Sequence, residues 1–198
     1  MLFAHAGFSV IALEPLAHNR LAIEASLCLN PEVAARVRLV PVALGVPVAD
    51  SACVVESSTV SNRGNGVMRC GPGMACPRTR RKVCESVRLR RLDDVLSELA
   101  PRSINVVKID VEGAECQALE GGQSLFTAYK PRLIQMELKM RQVVRCALEQ
   151  ATKHGYRFGT KRGHDNNAVM SPHSLLDGRM RRGLTAHRPP ALVTGLQP

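Results

Sequence analysis

Short aliphatic runs alternate with amphipathic stretches along most of this chain. Residues 8–13 form an apolar run containing Val10 and Ile11, ended by Glu14-Pro15, and read as a buried strand. Gly7 before it suits a helix C-cap, so residues 1–6 read as the end of a helix, one expected to begin ahead of Met1. Residues 16–29 repeat Leu, Ile and Ala at helical spacing and stop at Asn30-Pro31. A second strand is predicted over 37–45, with Pro41 arguing for an edge position because proline cannot donate to a ladder. Further strands are predicted over 83–89, 104–110 and 132–138. Asp93 or Asp94 is expected to cap a short helix that Pro101 closes. Helices are also predicted over 113–119, ended by Gly121-Gly122, and over 141–154, ended by Gly155. Residues 156–158 and 167–170 read as a final hairpin.

Regular alternation of strand and helix predicts an α/β fold, with a mainly parallel sheet and helices on both faces. Its main strands are expected at 10–13, 39–43, 106–110 and 133–138. Residues 46–82 are the least regular stretch, rich in Ser, Asn, Gly, Pro and Arg. The chain therefore reads as one domain over 1–172 followed by a basic, proline-containing tail over 173–198. Residues 62–82 and the tail are expected to pack poorly, and the tail to be disordered.

Composition narrows this picture. A chain of 198 residues with 45% hydrophobic content suits one domain with a sizeable core. With no Trp, two Tyr and four Phe, that core must be aliphatic, as in an α/β protein. The net charge of +10 would attract phosphates or nucleic acid, but the basic residues crowd the stretch 78–91 and the tail. With few aromatics to stack bases, solvated loops explain the charge better than a nucleic-acid groove.

Among the seven cysteines, Cys70, Cys76 and Cys84 lie nearest one another, but none forms the tight pair usual at zinc, so no metal is expected. The odd count without a paired framework points to reduced thiols and a reducing, cytoplasmic setting. No apolar run reaches the ~18 residues of a membrane span. Residues 1–13 lack a basic leader and read as fold rather than signal peptide.

Two segments carry candidate chemistry. Glu14 ends the first strand, where open α/β sheets bind ligands, and could accept both hydroxyls of a ribose; it could equally serve a helix N-terminus. In Lys108-Ile109-Asp110-Val111-Glu112-Gly113-Ala114-Glu115, carboxylates and a glycine follow a buried strand directly. Asp110 should face the crevice, whereas Glu112 and Glu115 suit capping and turn chemistry. Asp110, Glu112, Glu137 and His164 are the possible bases, with loop-borne His164 ranked no higher than Asp110.

Glu14-Pro15, then Asn19, then Leu29-Asn30 resembles the E-P, N, L-N pattern of FkbM-type methyltransferases. Val42-Ala43-Leu44-Gly45, Leu92-Asp93-Asp94, the eight residues from Lys108 to Glu115, Lys130-Pro131-Arg132 through Glu137, and His154-Gly155-Tyr156 continue the resemblance in order. It implies a Rossmann-like class I methyltransferase fold with S-adenosylmethionine as methyl donor. It implies O-methylation of a small-molecule hydroxyl, often on a sugar or polyketide-like alcohol. It also implies that Glu14 binds the donor's ribose, that Ala43 and Leu44 lie near the adenine, and that Asp110 lies near the methyl or amino-acid end.

The family's opening strand and D-x-G-A-N-x-G loop have no counterpart here, so the fold is expected to be N-terminally truncated. In the family's strand order the missing strand is central, between those of Glu14 and Asp110. A non-catalytic remnant of the fold is therefore the competing reading. A nicotinamide-dependent oxidoreductase fits less well, since no G-x-G-x-x-G is present.

Overall fold

A computed structural model describes residues 2–58, 66–77, 82–160 and 167–173. Helix α1 (Leu2–His5) ends at Gly7, whose φ of 90° is the left-handed value that glycine adopts without strain. Strand β1 (Val10–Leu13) leads through α2 (Ala17–Cys28) and α3 (Pro31–Ala34) into β2 (Val37–Val40). β2 stops one residue before Pro41, so the ladder loses no donor, and β3 is only Ala43–Leu44. Then come β4 (Ser51–Ser58), β5 (Gly66–Pro72), β6 (Lys82–Val87) and β7 (Leu89–Arg90). The rest is α4 (Leu92–Leu99), β8 (Val106–Ile109), α5 (Glu115–Glu120), a π-helical turn (Leu125–Tyr129), β9 (Leu133–Glu137), α6 (Arg141–Lys153), β10 (Tyr156–Thr160) and β11 (Asn167–Pro172).

The α/β character is as predicted, but the sheet is not mainly parallel. Among the described residues, parallel pairing is confined to β1 with β2, β3 with β7, and β8 with β9. β11 runs antiparallel to both β9 and β10, and β4 pairs antiparallel with β5 and β6. The stretch 46–82, expected to be irregular, thus contributes most of a three-stranded sheet. Its connections are too short for the helical crossover that parallel pairing requires, so the strands double back on one another. Its turn-rich composition concealed the strands. Residues 59–65, 78–81, 161–166 and 174–198 lie outside the described residues, which takes in most of the expected tail.

The core is gathered around the second half of the chain. Leu92, Val95 and Leu96 of α4, Ile109 of β8, Leu119 of α5, Ile134 and Met136 of β9, and Met170 of β11 form one buried cluster. Asp93 does not cap α4: its carboxylate accepts from the Ser124 and Gln123 backbone N–H groups at 2.8 and 3.1 Å. It lies one residue inside the helix and points across to the next element.

The layer of β1 and α2 is much less covered. Every residue of β1 is only half-buried, α2 has no buried residue, and Leu21 is 65% exposed. Among the described residues β1 pairs only with β2 and β8 only with β9, leaving one unpaired edge on each. The two strands do not pair with each other.

Six of the seven cysteines are joined as Cys53–Cys70, Cys76–Cys84 and Cys116–Cys146, and exposed Cys28 is free. This corrects the expectation of reduced thiols and removes the ground for a reducing compartment. The partners were hidden because folding, not spacing, brings them together. Cys53 and Cys70 are direct cross-strand neighbours on β4 and β5, and Cys116 and Cys146 join α5 to α6. Among the described residues no helix is long and apolar enough to cross a membrane.

Candidate functional site

β1 ends at Leu13 and β8 at Ile109, so the next residues, Glu14 and Asp110, emerge from strand C-termini. Both line one open cleft with a cavity volume of about 100 Å³. Val42, Ala43 and Leu44 supply a buried apolar wall beside Glu14. Val55, Gly66 and Met68, from β4 and β5, line the cleft as well. The four residues singled out from sequence as a donor site, Glu14, Ala43, Leu44 and Asp110, are therefore brought together.

The Glu14 end is a fixed turn. Glu14 Oε1 accepts from the Leu16 backbone N–H at 2.8 Å, and Arg20 donates to the carbonyls of Glu14 and Pro15. Leu16 is buried at 2% exposure. Glu14 thus does serve the N-terminus of α2, but with one oxygen; among the described residues Oε2 has no hydrogen-bond partner.

The Asp110 end is a network of charges. Lys108 donates to Asp110 Oδ2 at 2.9 Å. Carboxylate oxygens of Asp110, Glu112 and Glu137 lie within 4.8 Å of one another. The Lys139 ammonium bridges Glu112 and Glu137 at 2.8 and 3.0 Å, and these bonds and charges raise its pKa well above the ordinary lysine value despite partial desolvation. Burial pushes the Asp110 carboxyl up, but the Lys108 hydrogen bond and charge, the neighbouring Glu137 and the Lys139 charge together hold it below the usual aspartate value. Asp110 is accordingly an anion at neutral pH.

The loop between β8 and α5 is held from beneath. Glu112 and Gly113 both have positive φ, 50° and 97°. Glu115, only 3% exposed, accepts from the N–H groups of Gly113 and Val111 at 3.1 and 3.4 Å. The turn role expected of Glu115 is thus visible, and Glu112 is occupied by Lys139. Replacing Glu115 with Ala leaves two loop donors without their acceptor, at a cost of about 1–3 kcal/mol. The denaturant midpoint of Glu115→Ala should fall accordingly, whereas Glu115→Gln, which keeps an acceptor, should fall less.

His164 lies outside the described residues. Sequence reasoning missed Lys139, whose role exists only because β9 ends beside β8. It also missed Glu85 of β6, whose Oε2 accepts from the Ala17 N–H at 2.7 Å across 68 residues of chain.

The sequence profile of the methyltransferase FkbM domain matches residues 2–158. The chain belongs to the FkbM methyltransferase family. A solved structure, methyltransferase FkbM from Methylobacillus flagellatus KT, superposes with a TM-score of 0.53 at 15% identity, over 82% of this chain and 36% of that one. That likeness shows a shared fold, and the chain spans about a third of the length of that FkbM protein. No curated protein matches the sequence significantly.

Proposed function

We propose that this chain is a methyltransferase module that binds S-adenosylmethionine in the cleft between Glu14 and Asp110 and serves O-methylation of a hydroxyl on a sugar or small natural-product-like acceptor. The observation that carries this reading is the convergence of Glu14, Ala43, Leu44 and Asp110 on one cleft from segments far apart in sequence. S-adenosylmethionine supplies an activated methyl group and carries two positive charges, one ammonium and one sulfonium.

The residues present suit it chemically. Glu14 Oε2 has no partner among the described residues and can accept from a ribose hydroxyl. The apolar wall of Ala43 and Leu44 can take an adenine face. Asp110, held as an anion, favours the cationic end of the donor and is better suited to orienting charge than to removing a proton. Alignment of acceptor oxygen and methyl group would then provide most of the rate. The Rossmann-like arrangement of the donor site belongs to this proposal, as does a setting in an oxidising compartment, which the three disulfides favour.

A second reading, a non-catalytic binding module, draws support from the unpaired edges of β1 and β8. Calorimetric titration with S-adenosylmethionine, a nicotinamide dinucleotide and an oligonucleotide tests both. The first alone should bind. Glu14→Ala should weaken it by roughly tenfold, the worth of one hydrogen bond to a charged group, about 1.5–3 kcal/mol. Equal binding by Glu14→Ala would remove Glu14 from the site. Binding without methyl transfer to any hydroxyl acceptor would favour the second reading.

A further inference from the structure

We propose that Glu85 is a positioning residue that keeps Glu14 available to a ligand's hydroxyl groups; the inference rests on the reading of Glu14 as a donor-binding group. The first turn of a helix leaves several N–H groups without intrahelical acceptors. At α2 the N-cap residue is Leu16, which has no side-chain acceptor to offer. Two glutamates from elsewhere supply the acceptors: Glu14 takes the Leu16 N–H through Oε1, and Glu85 takes the Ala17 N–H through Oε2.

The division matters because the two donors are adjacent. Without Glu85, the carboxylate already bonded to the neighbouring Leu16 N–H, that of Glu14, would be available to Ala17 N–H. Its second oxygen would then turn to the helix, away from the cleft. The backbone of the turn is held by buried Leu16 and by Arg20, so the change would fall on the Glu14 side chain.

Glu85 is delivered by a different sheet from the one whose strand β1 leads into Glu14. It sits on β6 directly across from Val55 of β4, which lines the cleft, and next to Cys84, which is bonded to Cys76. On the neighbouring strand β5, Gly66 lies so close that an added Cβ would fall 2.3 Å from Val55 and 3.1 Å from the Leu16 side chain. The β4–β6 sheet therefore touches this turn twice, through Glu85 on Ala17 and through the close packing of Gly66 on Leu16. Glu85 Oε1 also lies 3.4 Å from His18 Nδ1, which further fixes its carboxylate.

The test compares S-adenosylmethionine with its 2′-deoxy analogue, because only ribose hydroxyl recognition separates them. Binding is read by ligand-observed NMR competition, which reaches weak affinities. The unsubstituted chain should prefer the ribose form, and Glu85→Ala should reduce that preference by on the order of tenfold. Glu85→Gln, whose amide oxygen can still accept from Ala17, should largely restore it. Hydrogen exchange at Ala17 should accelerate in Glu85→Ala and not in Glu85→Gln.

A purely structural role would weaken both ligands equally in Glu85→Ala, and that result would overturn the inference. So would unchanged exchange at Ala17. Loss of the preference in Glu14→Ala but not in Glu85→Ala would overturn the role of Glu85 and leave Glu14 in place. No preference in the unsubstituted chain, or one that survives Glu14→Ala, would remove both.

Discussion

Full reduction of the chain should bring it close to unfolding at 37 °C. Closing loops with sequence separations of 17, 8 and 30 residues removes entropy from the unfolded chain. Each such cross-link is worth about 2–4 kcal/mol in the chain-entropy model. A domain's entire stability is commonly only about 5–15 kcal/mol. Losing all three links therefore removes a large part of it, even where the individual effects do not add fully. The sheet of β4, β5 and β6 carries two of the three, and it also lines the cleft, so ligand binding should fail along with stability. The checks are a melting curve with and without reductant, and mass spectrometry after alkylation. One label, on Cys28, is expected on the unreduced chain and seven after reduction and unfolding. Seven labels without reductant, or a melting curve that reductant leaves unmoved, would return the cysteines to the free state that their spacing suggested.

A second large effect is expected from an added strand. Among the described residues β1 and β8 each show an unpaired edge, and their C-terminal ends meet at the same cleft. β1 is aliphatic throughout yet only half-buried, as a strand is when one neighbour is lacking. In a parallel sheet the neighbouring strands lie about 4.8 Å apart, so a segment that pairs with both edges would set the width of the cleft. A glycine-rich loop following that segment would bring further backbone N–H donors to the donor's methionine portion. Two such bonds exceed the 1.4 kcal/mol that corresponds to a tenfold change in affinity. A chain extended at its N-terminus by an apolar strand and glycine loop of the FkbM pattern should thus bind S-adenosylmethionine at least about tenfold more tightly than the 198-residue chain. Equal affinities by calorimetry would show that the existing segments already supply the whole site.

How much of this was legible beforehand differs from one element to the next. The strands at 10–13 and 106–109, the helix at 17–28 and the final hairpin all followed from local patterns. Period-two and period-3.6 hydrophobicity, ended by Gly or Pro, are properties of neighbouring residues. Glu14 and Asp110 could be placed at strand ends for the same reason, and the ordered motif run from Glu14-Pro15 to the stretch ending at Glu115 led to the FkbM family.

What local pattern cannot express is which distant segments meet. Turn-rich composition hid β4 and β5, because their stability comes from cross-strand pairing and a disulfide between residues 17 apart. Helix α4 carries an acidic first turn, yet Asp93 serves Ser124 and Gln123, a choice made by the packing of two helical segments. Lys139 owes its shifted protonation to carboxylates on two different strand ends, and Glu85 its role to a helix that begins 68 residues earlier. Local sequence pattern was enough for the type of most elements outside residues 46–82, for the strand-end carboxylates and for the family. The tertiary structure alone decided the antiparallel pairings, the three disulfides and the partners of each charge, since all of these depend on separations in space that the order of residues does not encode locally.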